Sequence, residues 1–366
     1  MRLSAEMTLK YYIMKRFASM VFVTFLLCAG LIFMIDFVEL LREASKRGSV
    51  GLGVLVWLGL LRLPAYTEIL LTFAVLVGSI TSLLMLSSKS ELAVMRSGGL
   101  SAWGFLMPCL LFAFVLGVFS VTVYNPIAAA GRAKAEILFA DVFKKNANFL
   151  KQSSGLPWLR QDGIDGASVI SANAAADSGV TLIGVRIFQY DKQDRFIERI
   201  HAQKARLEDG FWLVEKGWVT RPSQPPQKFE SYTVSTYLSP DRVKDAFGSI
   251  ISLSFWELPK LIEVVDKAGL STAPYTVQLQ LLLARPLLLI AMVLLAATVS
   301  LRSFRSGGVQ TMVIIGMVGG IGFFLVAEVS RQVGVAGLVA PWVAVWVPVS
   351  IACLVTATVL LHQEDG

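Results

Sequence analysis

The stretch SSKSELAVMRSGGLS, residues 87–101, carries side chains that suit either a solvated loop helix whose charges enforce topology or non-covalent docking. Leu92, Val94 and Met95 offer apolar anchors, and Met adapts its shape to a partner. Glu91 and Arg96 can form charge-assisted hydrogen bonds across a contact. Ser90 suits a helix cap, and Gly98 and Gly99 let the chain turn sharply. A second set of residues is cationic. Arg42, Lys46 and Arg47 follow one apolar run, Arg62 precedes the main part of the next, and Arg132 and Lys134 follow a third. A guanidinium keeps its charge and can grip a phosphate with two parallel hydrogen bonds. The same residues would also serve as interfacial anchors whose stems lie in lipid.

Covalent chemistry has no visible seat. The chain has no GxxxxGK[ST] stretch to cradle a nucleotide, no HExxH and no GxSxG. Its histidines, His201 and His362, lack the spacing of a metal site or a triad. Cys28, Cys109 and Cys353 lie inside apolar runs and read as small apolar residues, with no disulfide framework. The expectation is a protein without catalytic residues, metal or cofactor, so any work it does draws on a partner or an ion gradient.

The elements that hold these residues are apolar helices. The 366 residues are 55% hydrophobic and 16% charged, and the mean hydropathy is +0.65, which points to a membrane protein. A span needs about 20 apolar residues. Six runs qualify: Phe17–Ile35, Ile69–Ser88, Ala102–Tyr124, Leu281–Leu301, Val309–Ala327 and Ala340–Leu361. The first ends at Asp36 without a small-x-small cleavage site and is expected to stay as a span.

Orientation follows Lys and Arg in the short loops. The N-terminal segment, the 87–101 loop and the 302–308 loop hold eight, against four in the loops on the other side. Both termini and the 87–101 stretch are thus expected in the cytoplasm and the middle of the chain outside. The net charge of +7 fits that asymmetry and needs no nucleic-acid partner.

Residues 132–253 change period to two. Val180–Tyr190, Phe196–Leu207, Phe211–Thr220 and Phe229–Leu238 read as strands joined by short turns. That implies an antiparallel sandwich, jelly roll or open barrel. Inward apolar positions such as Leu182, Ile187 and Phe196 fit either a closed core or an open apolar groove. A helix then closes the insert: Ser254 and Glu257 form a capping-box pattern, Leu258, Leu261, Ile262 and Val265 one apolar face, and Gly269 the stop. The expected domains are 1–131 with three spans, 132–253 all-β, 254–275 a connecting helix and linker, and 276–366 with three more spans.

The residues alone leave open a transporter permease driven by a separate ATPase and a membrane-anchored binding or scaffold protein. Secondary transport is disfavoured, because Asp36, Arg62, Glu68, Arg285 and Glu328 fall near span ends. SELAVMRSGG after the second span resembles the SE-x-x-VMR-x-x-G segment of the LptF/LptG permease family of lipopolysaccharide export. The layout of three spans, a β domain and three spans is similar too, over nearly the whole chain. SGLPWLRQDG, 154–163, is similar to a stretch of the LptG branch.

The resemblance implies an inner-membrane ABC transporter permease with a periplasmic β-jelly-roll domain. Its implied partners are a dimer of the ATPase LptB, an LptF-like second permease, LptC, lipopolysaccharide and membrane lipids. It makes Ser90, Glu91, Leu92, Val94, Met95, Arg96 and Gly98 a coupling helix on the ATPase. It makes Arg42, Lys46, Arg62, Arg132 and Lys134 candidate lipopolysaccharide ligands. Gly316 and Gly320, a G-xxx-G pair in the fifth run, become a gate or a helix-packing pair. One departure stands out: Asp36, Glu39 and Glu43 interleave with the bases after the first span, which suits bridging to a cationic substituent or a divalent ion.

Overall fold

The chain was analysed as a computed structural model, which describes residues 2–47, 50–88, 91, 101–143, 149–150, 158–164, 166–176, 180–191, 193, 195–222, 224–237, 253–267, 271–301 and 309–365. It forms two compact units, one of 1–131, 254–256 and 273–366, the other of 132–253 and 257–272.

Among the described residues six helices are long and apolar enough to cross a membrane. They are α1 (Arg2–Arg47), α2 (Leu52–Ser88), α3 (Ala102–Phe119), which continues into α4 (Asn125–Phe143), α6 (Ala273–Ser300), α7 (Val309–Val335) and α8 (Pro341–Asp365). Several outrun the apolar cores that define them in sequence. The 46 residues of α1 span about 69 Å, against roughly 30 Å of hydrocarbon. Helix hydrogen bonds continue past the lipid because nothing in the flanks breaks them. The most buried helices are α2 and α6, and their Leu76, Leu83, Leu289, Val293 and Ala297 pack with Phe17 of α1 and Phe105 of α3 in one core. Phe17 meets Phe112 edge to face at 5.9 Å, a favourable quadrupole arrangement.

Between α3 and α4 the helix widens into a π turn, Ser120–Tyr124, closed by the Asn125 amide donating to the Ser120 carbonyl. The cause is in the sequence. Pro126 has no N–H to offer the Thr122 carbonyl four residues earlier, and its ring crowds that carbonyl. One extra residue per turn relieves the crowding without ending the helix. In α8, Pro348 likewise deprives the Ala344 carbonyl, and the Ser330 hydroxyl of α7 donates to it at 2.6 Å.

The second unit is all-β with a short helix. Its strands are β1 (Phe149–Leu150), β2 (Trp158–Gly163), β3 (Gly166–Ser171), β4 (Ala174–Ala176), β5 (Thr181–Tyr190), β6 (Phe196–Glu208), β7 (Phe211–Thr220) and β8 (Gln227–Ser235). All neighbours are antiparallel in the order β1-β2-β3-β5-β6-β7-β8, with β4 paired to β5. The sheet curls until β2 reaches β8. Gly163 lies against the Ser235 carbonyl, where a side chain would have no room. Gln161 ties the closure, accepting from Trp212 Nε1 at 3.0 Å and Thr236 Oγ1 at 2.8 Å while donating to Ser168 Oγ at 2.8 Å.

Inward side chains of alternate residues, among them Leu182, Val185, Ile187, Ile200, Trp212 and Val214, fill the roll. Leu182 and Ile187 are therefore closed core and line no open groove. Phe196 points outward, in ring contact with Phe188 and Tyr190. The helix α5 (Leu258–Lys267) starts after Glu257, whose carbonyl accepts from the Leu261 amide at 3.1 Å. It thus begins four residues after the expected cap at Ser254. Leu258 and Val265 form its buried side, and Gly269 lies outside the described residues.

Candidate functional site

Of the residues expected to dock on a partner, Glu91 is the one described. Ser90, Leu92, Val94, Met95, Arg96 and Gly98 lie outside the described residues. Glu91 is not a free carboxylate: Arg16 of α1 donates through Nη1 to both its oxygens, at 3.0 and 3.2 Å. Tyr12, one helical turn before Arg16, receives a 2.7 Å bond from Nη1 and donates to Glu91 Oε2 at 3.3 Å. The i, i+4 spacing of Tyr12 and Arg16 puts both on one face, so α1 presents a two-pronged clasp to the start of the stretch.

The expected phosphate ligands divide between the units. Arg62 is engaged already. Its Nη1 lies 3.0 Å from Asp36 Oδ1 of α1, and its Nη2 donates to the Tyr66 hydroxyl at 2.6 Å. Asp36 is only 6% exposed, and its Oδ2 has no hydrogen-bond partner among the described residues. The carboxylates after the first span thus include one that neutralises Arg62. Arg42, on the same helix, is exposed without an ion pair among the described residues. Lys46 ends in the last turn of α1, and its side chain lies outside the described residues.

Arg132 and Lys134, on α4, belong to the second unit, and both are exposed. Arg132 bonds Glu136 at 3.1 Å, an exposed pair one turn apart that contributes little and yields readily to a stronger ligand.

Gly316 and Gly320 face α2 of this same chain. A Cβ on Gly316 would stand 2.7 Å from Ile80 Cδ1, and one on Gly320 would overlap Leu76 Cδ2. The pair lets α7 lie close against α2. On another side of α7, Gly322 has nothing within 4 Å, and Val318, Leu325 and Val326 are exposed there. Leu27, Leu31, Met34 and Val38 leave a comparable apolar strip on α1.

A polar network that sequence reasoning did not assemble crosses three spans. Arg285 of α6 donates through Nη1 to Glu68 Oε1 of α2 at 2.5 Å and to Ser120 Oγ of the π turn at 3.1 Å. Asn125 Nδ2 donates to the same Glu68 oxygen at 2.9 Å. Beside it Thr67 shares a hydrogen bond with Tyr124. Gly117 abuts Pro286 of α6 so closely that a side chain would not fit. The signal was available in kind: opposite charges in separate apolar helices need one another. Which pairs meet depends on helix rotation, which the sequence does not show.

In the sheet unit, Glu198 is buried and doubly bonded, accepting from Arg221 Nε at 2.9 Å and the Tyr232 hydroxyl at 2.6 Å. Burial and the bond to Glu198 push the Tyr232 hydroxyl above its ordinary pKa, and Glu198 holds the Arg221 guanidinium more firmly protonated. At the β5–β6 turn, the Arg195 amide, followed by its guanidinium and the Gln193 amide, lowers Asp191 below the usual carboxylate range. These groups lock the roll and its turn. Among the described residues no cluster of His, Cys, Asp and Glu could hold a metal ion.

Six apolar helices, a β insert between the third and fourth, and a charged segment after the second define a polytopic membrane protein of one particular layout. The family of the lipopolysaccharide export system permease LptF/LptG matches residues 11–362. The chain is similar to the lipopolysaccharide export system permease protein LptG of Haemophilus influenzae, 25% identical over 340 residues, covering 90% of this chain and 91% of the relative. It is also similar to the protein of the same name from Escherichia coli K12, 22% identical over 359 residues, with 96% and 98% covered. With a match that runs through both membrane halves and the β insert, this chain belongs to the LptF/LptG family of lipopolysaccharide export permeases and is a multi-pass inner-membrane protein.

Proposed function

We propose that this chain is the LptG-type permease subunit of an ABC transporter that takes lipopolysaccharide from the inner membrane and passes it to a periplasmic bridge. The observation that carries this reading is the family match through residues 11–362; the names of the relatives favour the LptG branch. The chain has no nucleotide-binding motif of its own, so hydrolysis falls to an LptB dimer. Residues 87–101 dock on that ATPase, with Glu91 presented by Arg16 and Tyr12. An LptF-like permease covers the apolar strips of α1 and α7, and LptC takes the cargo onward. Both termini lie in the cytoplasm and the β insert in the periplasm, as the excess of Lys and Arg in the cytoplasmic loops requires.

Cargo phosphates engage Arg42, Lys46, Arg62, Arg132 and Lys134. Arg42 and Lys134 carry no ion pair among the described residues, which suits first contact. Arg62 and Arg132 exchange Asp36 and Glu136 for phosphate. Gly316 and Gly320 set the packing of α7 on α2, and with it the position of the gate that α7 forms with the partner permease. ATP-driven closure moves the coupling segment, narrows the cavity and expels lipid toward the β insert; only contacts that differ between the two states can drive this.

Affinity purification of the tagged chain from its native membrane, with mass spectrometry of co-purifying proteins, tests the assignment. A P-loop ATPase and a second permease of the same layout are expected. Repeated recovery of the chain alone in mild detergent would refute it. For orientation, alkaline phosphatase fused near Gln193 is expected to be active; an inactive fusion at normal expression would invert the topology.

A further inference from the structure

The π turn in the third span has an unusual attachment. Pro126 leaves the Thr122 carbonyl without its α-helical donor, and a carbonyl deprived of its donor in a dry environment is costly. The indole Nε1 of Trp256 donates to that carbonyl at 3.2 Å. One residue earlier, the Phe255 amide donates to Asn125 Oδ1 at 2.8 Å. Phe255 and Trp256 also meet edge to face, with centroids 5.1 Å apart. Residues 254–256 are the return strand of the chain. They belong to the membrane unit, and the next residue, Glu257, belongs to the β unit. So residues 254–256, which end one residue before α5, are fastened by two hydrogen bonds to the π turn of α3–α4.

That turn is itself tied to its neighbours. Asn125 is 5% exposed and divides its amide between two tasks. Its oxygen holds Phe255, and its nitrogen holds Glu68, which holds Arg285. An Asn in this position can do both because it is donor and acceptor at once. Asp offers no donor to Glu68, and Leu offers nothing. Spans α2, α3–α4 and α6 therefore meet the return strand through a single side chain.

A π turn has the further property that its extra residue can migrate or be lost as a helix changes pitch, so it is a natural site of bending. If the turn relaxes, the Thr122 carbonyl and the Asn125 side chain rotate about the helix axis, and both partners of the return strand move together.

We propose that Asn125 and Trp256 form a latch, as positioning residues through which rearrangement of α2, α3–α4 and α6 reaches the covalent root of the β insert. The inference rests on the transport reading above, and it adds a route by which work done on the membrane helices is delivered to the inserted domain. Neither residue touches cargo; each acts by fixing residues 254–256.

The test uses the assembled complex and, separately, the chain alone in lipid nanodiscs. Trp256→Phe keeps an aromatic ring against Phe255 and removes the indole donor. Asn125→Ala removes both bonds of the amide; if it fails to assemble, Trp256→Phe, at an exposed position, stands by itself. In the complex, lipid released per ATP hydrolysed should fall about fivefold, the shift that one ordinary hydrogen bond supports, with assembly and ATP hydrolysis unchanged. A merely structural role would lower hydrolysis and release in proportion, and that result would overturn the latch, as would an unchanged ratio.

In the chain alone, amide exchange across 257–267 should quicken in Trp256→Phe relative to wild type; identical exchange would also overturn it. A wild-type complex that hydrolyses ATP without releasing lipid would instead refute the transport reading, because the exchange measurement needs no partner and reads the latch independently.

Discussion

The ion pair between Glu68 and Arg285 offers the sharpest quantitative test of the membrane unit. The two side chains are 13% and 17% exposed, and a single oxygen of Glu68 serves both Arg285 and Asn125. Glu68→Leu strands a guanidinium among apolar helices. Arg has no neutral form to fall back on, and Arg285 lies near the middle of α6, not near a span end as its sequence run implied, because the helix starts at Ala273; an unpaired Arg at a helix centre costs about 2.5–3.5 kcal/mol on insertion scales. Removing one partner of a buried pair costs about 3–5 kcal/mol. The residual exposure puts this site at the low end, about 3 kcal/mol. Arg285→Leu should cost less, about 1–2 kcal/mol, because the Glu68 carboxylate left behind still accepts from Asn125.

The double substitution removes both charges and should cost less than Glu68→Leu alone. Equilibrium unfolding of the four variants in mixed micelles closes the cycle, and a coupling energy of at least about 2 kcal/mol is expected for groups in direct contact. Additivity within about 0.5 kcal/mol, or an Arg285 variant worse than the Glu68 variant, would refute the argument that an unpaired cation is the dominant penalty.

Four further outcomes are expected. Arg16→Ala should weaken capture of the ATPase two- to fivefold, the range of about 0.5–1 kcal/mol for a partly exposed pair, and the swap Arg16→Glu with Glu91→Arg should recover part of it; capture unchanged by Arg16→Ala would dissociate the clasp from docking. Gly320→Leu should destabilise the isolated chain by about 1–3 kcal/mol through overpacking against Leu76, whereas Gly322→Leu, which meets open space, should leave its melting temperature unchanged. Arg132→Glu should lower the yield of lipopolysaccharide photocrosslinks, and an equal yield would leave Arg132 an interfacial anchor.

The fourth concerns acid. Asp191 has a lowered pKa in the fold, so its contribution to the β5–β6 turn is present above the ordinary carboxylate range, near pH 4, and is lost as pH falls through the lowered value. Intrinsic-rate-corrected exchange of the Gln193 and Arg195 amides should therefore quicken in acid in the wild type. In Asp191→Ala, which removes both acceptor oxygens, it should be fast at every pH.

What the sequence disclosed depended on how local each signal was. The six spans and the strands β5 to β8 were legible because apolar runs and period-two alternation are written in consecutive residues. The strands β1 to β4 were not, since Gly166–Ser171 and Ala174–Ala176 are mostly small residues of weak strand preference whose place in the sheet comes from pairing with β5. The docking stretch was conspicuous by composition, while its Arg16 partner was not, because their meeting depends on how α1 crosses the bundle. Arg62 stood out as a cation ahead of an apolar run, but its pairing with Asp36 joins two helices and left no mark in either.

The prolines show where local chemistry and tertiary consequence join. Pro126 and Pro348 each withhold a donor from a carbonyl four residues before, which the sequence states outright. In both cases a donor arrives from a different element, the Trp256 indole for Thr122 and the Ser330 hydroxyl for Ala344. A membrane helix has no water to answer an orphaned carbonyl, so each proline obliges some other part of the chain to come close. In α8 the obligation joins two neighbouring spans. At the π turn it falls on the strand leading back from the inserted domain, and the same turn carries the asparagine that reaches Glu68 and Arg285. The substitution Pro126→Ala isolates this step. It restores the missing N–H, should convert the π turn to α geometry, and leaves the Trp256 indole competing with a backbone donor for one carbonyl. Faster exchange across 257–267 in that variant, with helix content unchanged, is the expected result; exchange identical to wild type would mean that the return strand is held by something other than the carbonyl Pro126 sets free.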